Sequence, residues 1–61
     1  MSREAATQSA VNAVAVATAA INEYGEHSTE AQGALQAARD SVTTAREQGA
    51  TDADFRAVRP Q

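Results

Sequence analysis

Residues 31–45 read AQGALQAARDSVTTA. Within them Ala31, Leu35, Ala38, Val42 and Ala45 recur at spacings of four, three, four and three, the rhythm of a helix that keeps one seam against a partner. Ala34 alone widens the stripe, so the apolar arc covers about 100°. Gln32, Arg39, Asp40, Thr43 and Glu47 fall outside it. A strand would need apolar and polar residues in alternation, and the one run that alternates, Val14-Ala15-Val16-Ala17, is short and places alanine where polar side chains should stand. Alanine content decides for helix.

The helix ends are marked by residues that stop or cap. Gly25 and Gly49 each close a stretch rich in helix formers, as glycine does at a helix C-terminus. Ser2 is placed to cap a first helix over residues 3–24, with Glu4 in its first turn. A turn over 25–29 follows, and Thr29 with Gln32 has the form of a capping box for a second helix over 30–48. Thr51, Asp52 and Asp54 open a short helix over 52–58, which Pro60 prevents from extending; Asp52 and Arg56 in it have the i, i+4 spacing of an ion pair. These readings give a single all-α domain over residues 1–61, an antiparallel helical hairpin with a short C-terminal helix.

The first helix differs from the second in having two adjacent apolar stripes. One contains Thr7, Val11, Val14, Thr18 and Ile21; the other contains Ala6, Ala10, Ala13, Ala17, Ala20 and Tyr24. With Val16 the arc reaches roughly 220° at 3.6 residues per turn, more than one narrow helix covers. The expected hairpin seam is Val11, Val14 and Ile21 against Leu35, Ala38, Val42 and Ala45. The flank Ala13, Val16, Ala17 and Ala20 is then the expected dimer face, joining two hairpins into a four-helix bundle. Asn12 and Thr18 are polar side chains that would set register in such a pairing. Phe55 and Val58, i and i+3 on the short helix, would close the open end of the bundle or form a hook for a partner.

Only ten apolar side chains in the 61 residues exceed alanine in size: Met1, Val11, Val14, Val16, Ile21, Tyr24, Leu35, Val42, Phe55 and Val58. So thin a core calls for a disulfide, a metal or a second chain. There is no cysteine and a single histidine, which leaves association as the expected source of stability, with a homodimer foremost.

Charge and motif content narrow the function classes. The net charge is -3, and the five arginines (Arg3, Arg39, Arg46, Arg56 and Arg59) are spread among eight acids, which argues against the cation clusters of a nucleic-acid surface. The run from Ala10 to Ile21 is too short to span a bilayer, and Asn12 together with the lone Arg3 beside Glu4 speaks against a secretory leader. A cytoplasmic protein is the expectation. His27 has Glu23, Glu26 and Glu30 nearby, but a turn histidine without other convergent groups makes no metal or acid/base site. Ser41, Thr43 and Thr44 lack an activating base. No catalytic, cofactor or metal site is therefore expected.

Three functions stay in play. The first is a non-enzymatic, self-associating protein–protein interaction module. The second is a regulator or phage-type inhibitor that docks on a larger protein. The third is a small-molecule or metal-binding bundle.

Overall fold

A computed structural model describes residues 2–61 of the chain; Met1 lies outside them. Three helices follow one another: α1 (Arg3–Tyr24), α2 (Thr29–Glu47) and α3 (Asp52–Ala57). The two long helices form an antiparallel hairpin and α3 folds back against α1, giving a body of 32 × 18 × 16 Å. The fold is all-helical.

Each helix start is capped by a hydroxyl. Ser2 Oγ accepts the amide N–H of Ala5 at 3.1 Å. Ser28, not Thr29, caps α2, taking the N–H of Ala31 at 3.0 Å. The one-residue shift has a local cause: Ser28 Oγ also donates to the Gly25 carbonyl at 2.8 Å, which fixes it across the turn. Gln32 then serves the turn differently from a capping box, its side-chain amide donating to the Glu26 carbonyl at 2.8 Å. At α3, Thr51 and Asp54 do form a reciprocal capping box.

The end of α2 is a Schellman motif. Gly49 has φ +98°; its N–H reaches the Arg46 carbonyl at 3.0 Å, and the Ala50 N–H reaches the Ala45 carbonyl at 3.0 Å. Ala45 and Ala50, the residues that such a motif brings into contact, are both buried beside Ala6 and Ala10. The motif thereby aims α3 back at α1. Val58 caps α3 in an extended conformation, so the helix stops one residue short of the expected end.

The hairpin interface is made of alanine. Ala6, Ala10 and Ala17 of α1 are buried with Ala31, Ala38 and Ala45 of α2, the last three spaced by seven residues. Alanine lets helix axes approach closely, and interaxial distance depends on the side chains at the contact. Once the axes are that near, a valine has no room between them. The valine stripe of α1 is accordingly turned to the side: Val14, expected in the seam, is 46% exposed, while Val11 and Ile21 are half-buried. Among the described residues no large side chain is fully buried.

Candidate functional site: an open apolar groove

Two stripes pushed aside in the same direction leave a groove. Val11, Val14 and Ile21 form the α1 wall, and Leu35 and Val42 form the α2 wall. Two adjoining hollows of about 560 and 530 Å³ share Val14 and Val42. At one end α3 adds Phe55, which packs on the Ala6, Ala10, Ala45 and Ala50 cluster together with Val42. Phe55 thus closes that end within its own chain. The chain's large apolar side chains are mostly gathered here, half-covered.

The groove has a polar rim of one dominant sign. Arg39, Arg46 and Arg56 line it with a single acid, Asp52. Arg46 donates to Asp52 at 3.2 Å and lies 5.3 Å above the Phe55 ring centre, a cation–π arrangement that holds the guanidinium in place. Asp52 therefore pairs back onto α2; Arg56, its neighbour at i+4, is outside ion-pair distance. The other two arginines and seven acids lie elsewhere on the chain, so the groove is a locally basic strip on an acidic protein.

The last residues run back along α1. Asn12 Oδ1 accepts from the Gln61 N–H at 2.9 Å and from the Gln8 amide at 2.9 Å, while Gln8 also donates to the Arg59 carbonyl at 2.9 Å. Asn12 is thus engaged within its own chain. Thr18 is too, its hydroxyl donating to the Val14 carbonyl at 3.0 Å.

The flank read from the sequence as a dimer face divides. Val16 is 62% exposed, and Ala13 and Ala20 are half-buried beside it. Ala17 is 3% exposed and belongs to the hairpin interface, because it lies on the alanine stripe that α2 covers. It drops out of any outer face.

The candidate chemical groups are dispersed. His27 stands in the turn with its side chain 92% exposed, its Nε2 3.8 Å from the Glu26 carboxylate. Among the described residues no three His, Cys, Asp or Glu side chains gather as a metal would require. Ser41 and Thr44 line a small hollow with Ala6, Ser9 and Asp40 on the face opposite the groove. Asp54 is held below the usual carboxylate range, first by the backbone N–H of Thr51, with the Thr51 hydroxyl and Arg3 adding to it. That shift belongs to the α3 cap. Among the described residues no helix is long and apolar enough to cross a membrane.

Comparison with protein-family models, curated proteins and solved structures finds no match to this chain. The groove's walls were named one by one in the sequence, as seam residues. That they border the seam and leave an open surface was missed, and the signal for it was the second stripe of α1, alanine at every position but Tyr24.

Proposed function

We propose that the chain is a non-enzymatic protein-interaction module, acting in the cytoplasm, whose groove receives a helical surface of another polypeptide. One observation carries the reading: among the described residues only alanines and Thr7 are buried, while Val14, Val11, Ile21, Leu35, Val42 and Phe55 converge on one open face. A small protein gains most of its stability from burying such side chains, and contiguous apolar surface rimmed by polar residues marks interaction sites. A third helix laid between two antiparallel ones would complete a three-helix bundle and cover them all. Both walls are helices with their backbone groups already paired, so a strand would find no edge to extend.

Site-specific photocrosslinking in the native host tests this. A photoreactive side chain at position 14 should join the chain to another polypeptide, and one at Gln36, on the exposed outer face of α2, should not. Equal adducts from both positions, or none from position 14, would refute the reading.

Self-association is a second reading, supported by the exposure of Val16 between Ala13 and Ala20 on the flank away from the groove. Two hairpins joined there would form a four-helix bundle with both grooves still open. Sedimentation velocity should then show a wild-type dimer, a Val16→Glu monomer and an unaffected Gln36→Glu dimer. A monomeric wild-type chain at micromolar concentration would end it.

A further inference from the structure

We infer that the groove's partner is an acidic amphipathic helix of about three turns, supplied by a different protein. This rests on the docking reading above and adds the partner's chemistry. Size follows from the wall: Val11 to Ile21 rises roughly 15 Å along α1, or about three helical turns. The partner needs apolar side chains at i, i+3 or i+4, and i+7 to fill the two hollows.

The rim supplies the charge. Arg39 stands beside one hollow, and Arg46, Arg56 and Asp52 beside the other. Asp52 is occupied by Arg46, and among the described residues neither Arg39 nor Arg56 has an acid within ion-pair distance. Each end of the groove thus carries a net positive charge. Acidic residues flanking the partner's apolar seam would meet these guanidiniums at the edge of an apolar contact, where arginine pairs with carboxylates in two-pronged geometry.

A second copy of this chain fits the same groove poorly. A two-fold contact sets the Arg39 end of one copy on the Arg46–Arg56 end of the other. Like charges would then face each other across an interface, which disfavours the pairing. The chain's acids lie away from the groove, with Asp52 the one exception.

A displayed library of helical peptides tests the inference on the full chain. The peptides carry a fixed apolar seam, and their flanking positions vary among Glu, Gln and Lys. Selection should enrich glutamate, and a synthetic Glu-flanked peptide should bind about tenfold tighter than its Lys-flanked twin at low salt, with the ratio shrinking as salt rises. Val14→Glu should abolish binding. The double variant Arg39→Glu/Arg56→Glu changes only exposed side chains, and should reverse the preference while keeping the wild-type circular dichroism melt. If peptides bind, are lost with Val14→Glu, and show no preference for glutamate, the docking reading stands and the acidic partner is wrong. If no peptide binds, or binding ignores Val14→Glu, both fall. A wild-type dimer dissolved by Val14→Glu would place a second copy in the groove and overturn the inference.

Discussion

Gly49 and Gly33 sit in the same hairpin arm and have opposite roles. Gly49 holds φ +98° at the end of α2, where a side chain is strained whatever the space around it. Gly49→Ala should cost about 1–2 kcal/mol and loosen α3, because the Schellman turn directs that helix. Gly33 lies inside α2 with nothing within 4 Å of an added Cβ. Gly33→Ala should stabilise the chain by about 0.5–1 kcal/mol. Urea melts of both variants check the pair; a destabilised Gly33→Ala would contradict the helix drawn through it.

Asp54 couples the cap of α3 to pH. Its folded value lies below the ordinary 3.8, so the ionised form is favoured by folding. The stability it contributes is full above that ordinary value and is lost as pH falls through the lower folded one. An NMR titration of its carboxyl carbon should give a midpoint below 3.8, and Asp54→Asn should remove that part of the pH dependence of α3. A midpoint at or above the ordinary value would disprove the cap.

At the scale of elements, the hairpin is set by which stripe of α1 turns inward. The helical periods, the turn at Gly25, the stop at Gly49 and the short third helix were all legible in the sequence. Each rests on local rules, namely hydrophobic period, glycine at positive φ and hydroxyl caps. The inward stripe was not legible, since hydrophobicity alone favours valine over alanine. The contest is settled by geometry: alanines on both helices allow an approach that valines prevent. Ala38→Leu should therefore destabilise by about 1–3 kcal/mol despite adding apolar surface. Leu35→Ala should cost less than the ~2–5 kcal/mol of a buried leucine, because Leu35 is only half-covered. Thermal melts showing Ala38→Leu more stable than wild type would mean that the helices are not closely packed there.

The same choice sets the properties of the whole molecule. An accessible surface of 4126 Å² exceeds the roughly 3,700 Å² expected of a folded chain of this mass, as suits a thin hairpin with one side open. The thin core was evident from composition. The position of the open apolar face was not, because it depends on how the helices turn about their axes. Charge followed the same course. The arginines are scattered in sequence, yet Arg39, Arg46 and Arg56 line one groove, because α2 and α3 present them to the same side.

The orientation of α1 can be read directly with thiols, since the chain has no cysteine of its own. Single cysteines at Val14 and Ala17 would report the outward and inward stripes, with labelling by a maleimide under native conditions. Cysteine at position 14 should label at a rate near that of the unfolded chain, and cysteine at position 17 should be protected until the hairpin opens. A protected position 14 beside a reactive position 17 would mean that the valines face α2, and the groove would not exist.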